Sequence, residues 1–432
     1  MKILWFLLLV VIFEGAFYDG IEFIKLGSDA AGLTINDVVV TCVYLVWFIL
    51  IFFGRLRLPS LFKSMSLYVF ILALLVPILV GFSEEHLWRT VLRDARAPYY
   101  FILSFVVASY VNDEEALRRI VKPLIIVGVL FLIWGYLVYI FKIPVATSLK
   151  VTYLKTGKTT RFFGYHSSQM LFMVVPLFLI NYLFVFRDRI GRKYKAAVLG
   201  FCFVIGLLLT LVRGLFIGLL AGAVVSVLIQ KSKIKLPVII LGLFFSIISS
   251  ALVIGSSDIK TQLLSISVVE RYWSIVDPSV TTRLGKNSGV GRIKAIEMVN
   301  RIVSENPMLG VGYGENKKYT HSQFADPVLG MISHSGPSWM MYRTGYIGTI
   351  ILSLCLFMFL LRGMKMFKNA KEGGFARFAY GGATASLVGI YASTLGANML
   401  FNADRFTIHI AIIIGIVFSN FQESEKTEVR LA

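Results

Sequence analysis

One histidine and a small set of arginines are the side chains in this sequence best placed to do chemistry. His334, followed by Ser335, stands where the long polar stretch 255–337 runs into an apolar one. An imidazole has an unperturbed pKa of about 6.5, which makes it the natural general base near neutral pH. At such a junction it can meet a water-borne group and a lipid-borne group together. Arg213 lies between the apolar runs 207–212 and 215–220, with little more than Gly214 to separate them. A guanidinium at that depth is costly; it faces an interior cavity or an anionic partner, or snorkels to the interface. Arg89, Arg93 and Arg96 recur at spacings of four and three, one basic stripe if the segment is helical. Arg161 and Arg292 add charge in other polar segments. The planar fork of arginine meets phosphate through two parallel charge-assisted bonds. Several arginines at membrane depth therefore point to a phosphate or pyrophosphate on a lipid, with interfacial anchoring the alternative for any one of them.

The elements that must hold these groups are membrane spans. Of 432 residues 57% are hydrophobic, above the share found in water-soluble domains. Apolar runs fall at 3–18, 35–53, 65–82, 97–111, 123–142, 167–186, 196–212, 215–229, 236–254, 338–361, 378–397 and 405–420. Each approaches the ~20 residues that a bilayer-crossing helix needs. The fold expected is an all-α polytopic membrane protein of about twelve spans, with one large helical extracytoplasmic loop between spans nine and ten. Residues 1–254 hold spans one to nine, 255–337 the loop, 338–420 the last three spans, and 421–432 a tail. The N-terminal run resembles a short signal peptide, but no small-residue cleavage site follows it, and an uncleaved first span is expected.

Charge sets the orientation. Basic residues cluster at 55–63, 118–122, 187–195, 231–235 and 362–377, and counting spans puts all five loops on one side with both termini. By the positive-inside rule that side is the cytoplasm. The formal net charge of +19 is then retention of Lys and Arg in cytoplasmic loops, and no nucleic-acid partner is implied. Within the outer loop, Ile293, Ile296, Val299 and Val303 recur at helical spacing, and Asn306-Pro307 ends that helix. The sequence from Gly310 to Gly314 has the form GxGxG, but it follows a helix and opens none. It fails the context test for a phosphate loop and reads as a turn with positive backbone dihedrals. Cys42, Cys202 and Cys355 all lie in apolar runs, with neither disulfide nor metal spacing. His86, His166 and His321 are loop residues without a visible partner, and His409 lies in the last span.

These motifs together resemble the bacterial O-antigen ligases and the related O-antigen and capsule polymerases. His334-Ser335, nine residues, then Gly345-Tyr346-Ile347-Gly348 reproduces the family's histidine and Gly-x-x-Gly pattern at the end of its large outer loop. Gly291-Arg292 through Asn306-Pro307 to Gly314 resembles the block before that histidine, and Leu211-Val212-Arg213-Gly214 the arginine–glycine at the outer end of a middle span. Arg161-Phe162-Phe163-Gly164 is a weaker likeness. Two departures stand out: Ile296 where the family usually has tryptophan, and Ser335 where asparagine is commoner.

The resemblance implies a glycosyltransferase of the cytoplasmic (inner) membrane, with its site on the extracytoplasmic face and no cofactor. Its donor would be a lipid-linked oligosaccharide on polyprenyl pyrophosphate, and its acceptor a glycan or glycolipid hydroxyl, with inversion at the anomeric carbon. His334, Arg213 and Arg292 would be catalytic. Arg161, Arg89, Arg93, Arg96, Tyr313, Gly345 and Gly348 would bind substrate. No carboxylate–histidine constellation with metal spacing occurs in the outer loop, and metal-independent transfer is expected. A transporter or flippase would also have about twelve spans, but pseudo-repeated halves and charges at mid-bilayer are not evident. A cell-wall polymerase of the shape–elongation type needs an acidic catalytic residue, and Asp258, Asp277 and Asp326 lack a supporting motif.

Overall fold

The structure is a computed structural model, and it describes residues 1–17, 22–24, 33–141, 154–156, 159–161, 170–186, 190–210, 212–230, 297–314, 336–396 and 406–419. Helices dominate the described residues. In chain order they are α1 (Lys2–Phe17), α2 (Ile35–Phe52), α3 (Met65–Ser83), α4 (Trp88–Asp94), α5 (Arg96–Phe101), α6 (Leu103–Tyr110), α7 (Glu114–Phe141), α8 (Leu171–Val185), α9 (Ile190–Thr210), α10 (Arg213–Ile229), α11 (Gly336–Asn369), α12 (Phe375–Gly396) and α13 (Phe406–Val417). A shorter helical stretch covers 297–303. Two small antiparallel strand pairs interrupt the helical pattern, Glu22–Ile24 with Leu33–Thr34 and Leu154–Thr156 with Thr159–Arg161.

Among the described residues, four helices are long and apolar enough to cross a bilayer: Ile35–Phe52, Met65–Ser83, Glu114–Leu137 and Gly336–Asn369. Their outward faces carry Leu45, Phe48, Leu72, Leu79 and Ile350 in the open, side chains suited to hydrocarbon. Many boundaries follow the apolar runs; α9 begins six residues before its run, α11 ends eight residues after its own, and two further departures have visible causes. The run 97–111 is not one unbroken α-helix, because the chain from Trp88 to Tyr110 is divided at Ala95 and Ile102 into α4, α5 and α6. Pro98 contributes, since it has no N–H for the carbonyl one turn earlier. α7 begins nine residues before its apolar run, at Glu114, where Glu114–Arg118 and Glu115–Arg119 pair one turn apart and extend the helix into polar sequence. The expected ninth span, 236–254, and the outer loop through residue 296 lie outside the described residues.

The centre of the bundle is α8, α10 and α12. Lipid gives helices no hydrophobic reason to associate, so close backbone approach and polar contacts must hold them. Both are present. A Cβ on Gly218 would fall 2.4 Å from the Gly389 carbonyl oxygen, and one on Gly222 2.7 Å from that of Ala385. Asn181 Nδ2 donates to Ser226 Oγ at 2.8 Å, and Gln230 Nε2 donates to Asn181 Oδ1 at 3.2 Å. α11 joins this core along α12 and reaches α3 on its other side. That last contact builds the candidate site.

Candidate active site at the glycine turn

The helical stretch 297–303 buries Val299, Ile302 and Val303 with Val311 and Tyr342, and it closes at Val303, three residues before the expected stop at Asn306-Pro307. The chain then enters the glycine turn. Gly310, Gly312 and Gly314 all have positive φ, at 67°, 71° and 97°, so the turn reading of GxGxG holds. Space demands glycine as well. A Cβ on Gly312 would lie 2.5 Å from the Gly81 nitrogen, and one on Gly310 2.5 Å from the Gly345 nitrogen.

α11 is broken to receive this turn. Gly345 sits at φ 63°, ψ −167°, a conformation essentially restricted to glycine. In an unbroken helix the Tyr342 carbonyl would accept from the Tyr346 N–H. Here Tyr342 accepts from Val311 N at 2.9 Å, Arg343 accepts from Gly312 N at 3.1 Å, and Tyr346 N donates to Pro307 O at 2.8 Å. The turn thus satisfies the backbone groups that the break releases. Gly348 is needed one turn on, where a Cβ would meet that of Thr344 at 2.3 Å. Gly345 and Gly348 therefore act through backbone shape.

The far side of the turn docks on the end of α3 and on α4. Tyr313 N donates to Pro77 O at 2.7 Å. Because a carbonyl only accepts, His86 must carry its proton on Nδ1, which lies 2.7 Å from Tyr313 O. Tyr313 is wholly buried with its ring against Trp339, and burial holds its phenol well above the usual tyrosine range. Arg343 closes the arrangement. One of its terminal nitrogens donates to Gly312 O (2.9 Å) and Gly314 O (2.6 Å), and the other to Asp94 Oδ2 (2.8 Å). Gly314 N donates to the same carboxylate oxygen at 3.1 Å. Arg343 and Asp94 are each only 14% exposed.

A pair this sheltered is costly to break, because the survivor is left charged without its partner. Arg343→Met is expected to lower stability by about 3–5 kcal/mol. Adding Asp94→Asn should cost much less than the sum of the two single losses, since the residues act as a unit. Denaturant unfolding in micelles measures this; fully additive losses would mean that the two are not coupled.

Besides Tyr313, Gly345 and Gly348, the expected site residues fall into three groups. His334 and Arg292 lie outside the described residues. Arg213 is the first residue of α10, directly after the extended Val212, and Arg161 ends its strand opposite Leu154; their side chains are not described. The third group is the arginine stripe, and the cut at Ala95 splits it. Arg96 pairs with Asp37 at 3.1 Å, Arg93 Nε donates to Asp94 Oδ1 at 3.3 Å, and Arg89 lies over the exposed Trp88 ring. Gly336, two residues after His334, is fixed by packing: a Cβ there would lie 2.0 Å from Thr394 Cγ2.

Sequence reasoning missed Arg343, Asp94 and His86. For Arg343 the signal was available: it is a guanidinium inside the apolar run 338–361, the same argument that singled out Arg213. For His86 there was none, since its partner is 227 residues away.

The family model described as O-antigen ligase matches residues 196–353. That segment holds α10 from its first residue, the glycine turn, Arg343 and both glycines of the α11 break. The match supports the O-antigen ligase/polymerase family that the motifs resemble, with a glycosyltransferase-type role in surface polysaccharide synthesis. Together with the apolar helices it indicates a bacterial membrane protein. No curated protein matches the chain.

Proposed function

We propose that the protein is an inverting glycosyltransferase at the outer face of the cytoplasmic membrane, moving a glycan from polyprenyl pyrophosphate to a sugar hydroxyl on an acceptor. The observation that carries this reading is the family match over 196–353, because it spans Arg213, Arg292 and His334 together.

In the proposed reaction the acceptor oxygen attacks the anomeric carbon from the face opposite the carrier. The bond from that carbon to the pyrophosphate oxygen breaks, and its electron pair leaves with the pyrophosphate. The hydroxyl proton passes to His334, which acts as general base. Pyrophosphate is already a good leaving group, so the protein's task is to hold it and neutralise the charge that develops. Arg213 and Arg292 form that clamp. Arg213 stands at the start of α10, where the helix's exposed N–H groups and dipole also favour an anion. Arg161 and Arg89 add positive charge on the approach, whereas Arg93 and Arg96 already hold carboxylates. The glycine turn, with Tyr313 beneath it and Gly345 and Gly348 beside it, holds α11 at its break, which follows His334 in the chain.

Mass analysis of glycans in a deletion strain tests the role. Long chains left on the carrier are expected if the protein ligates, and single repeat units if it polymerises. Unchanged surface glycan together with an unchanged carrier pool would sink both.

A further inference from the structure

A cavity of about 450 Å³ opens between α2, α3 and the short helices α4 and α5, and Arg93 in its lining pairs with the same Asp94 that holds Arg343. Leu75, Ile78, Leu92 and Ile102 make its walls apolar, and Asp37, Thr41, Arg93, Arg96 and Tyr99 add polar groups to the lining. Leu75 and Leu92 are partly uncovered, so the apolar walls continue onto the surface that faces lipid. The Arg93 side chain is 49% exposed and is held at its Nε by Asp94, which leaves its terminal nitrogens for a further acceptor.

We propose that this cavity binds a membrane phospholipid with a single anionic phosphodiester headgroup. One hydrocarbon chain lies along Leu75, Ile78, Leu92 and Ile102, and the phosphate rests on Arg93.

Formal charge selects the headgroup. Arg96 is matched by Asp37, while Arg93 and Arg343 share the one carboxylate of Asp94. One positive charge is left uncompensated, which a monoanionic phosphodiester neutralises and a pyrophosphate over-neutralises. The donor carrier is therefore the poorer fit here. The chain itself gains little on leaving the bilayer for an apolar cavity, because both are hydrocarbon-like. Selectivity must come from the headgroup.

Native mass spectrometry of the full chain in detergent, with phosphatidylglycerol, phosphatidylcholine or polyprenyl pyrophosphate added, provides the test. Wild type should retain phosphatidylglycerol about fivefold more strongly than phosphatidylcholine, the scale of one arginine contact to an anionic lipid. Arg93→Gln should remove that preference, and Ile78→Trp, which fills the cavity, should lower retention of both phospholipids. Leu92→Trp gives a second cavity-filling variant should Ile78→Trp not fold. Equal retention of the two phospholipids by wild type would overturn the proposal, as would phosphatidylglycerol retention that survives Arg93→Gln or both tryptophan variants. Displacement of phosphatidylglycerol by equimolar polyprenyl pyrophosphate would also overturn it, by assigning the cavity to the donor.

Discussion

His334→Ala is expected to lower turnover by about 10²–10⁴-fold while the protein still folds and still binds its lipid-linked donor. The size follows from the role. A general base contributes this much because it removes the acceptor proton as the new bond forms, and an alanine leaves that proton to water. Donor binding is expected to persist because the arginines of the clamp are untouched. Folding is expected to persist because the bonds that anchor the turn run between Arg343, Asp94 and the backbone carbonyls of Gly312 and Gly314. The pH profile is the sharper readout. Only the neutral imidazole accepts a proton, so the wild-type rate should fall as pH drops through a value near the usual histidine pKa of about 6.5. That acid limb should vanish in the variant. A folded His334→Ala protein turning over at near wild-type rate would remove the base and leave the stretch before Gly336 as a packing segment.

The second large effect is expected at Arg213. Arg213→Lys keeps the charge but loses the planar fork, and so loses two parallel bonds to one phosphate. The expected cost is about 2–4 kcal/mol in transition-state stabilisation, the range for removing one preorganised donor to a developing anion. Arg213→Ala should be at least as damaging, and neither change should disturb the glycine seam between α10 and α12, which is built from Gly218, Gly222, Ala385 and Gly389. Steady-state kinetics with purified lipid-linked donor would show the loss in kcat/KM. Full activity in both variants would reduce Arg213 to an interfacial anchor.

Much of the helical architecture was legible because apolar length is a direct physical signal. The runs 35–53 and 65–82 became Ile35–Phe52 and Met65–Ser83 almost unchanged. Elsewhere the bounds moved: ion pairs carried α7 outward past its apolar run, and helix breaks at Ala95 and Ile102 divided the segment around the expected fourth span. The glycine turn was legible as a turn, because three alternating glycines need positive φ more often than they bind phosphate. What it packs against was not. Arg343 and Asp94 are 249 residues apart, and no local pattern links them. The stripe of Arg89, Arg93 and Arg96 is similar: its spacing described one face of a single helix, whereas tertiary structure brings Asp37 to Arg96, and Arg93 pairs with its own neighbour Asp94.

The central claim is transfer, and it can be measured in vesicles. The purified protein would be incorporated with a labelled glycan on polyprenyl pyrophosphate and supplied with a sugar acceptor. The account predicts that label moves to the acceptor with one polyprenyl pyrophosphate released for each glycan joined, and that His334→Ala suppresses both together. Label that stays on its lipid and crosses to the other leaflet, with no acceptor product, would contradict the account and make the protein a carrier of lipid-linked glycan.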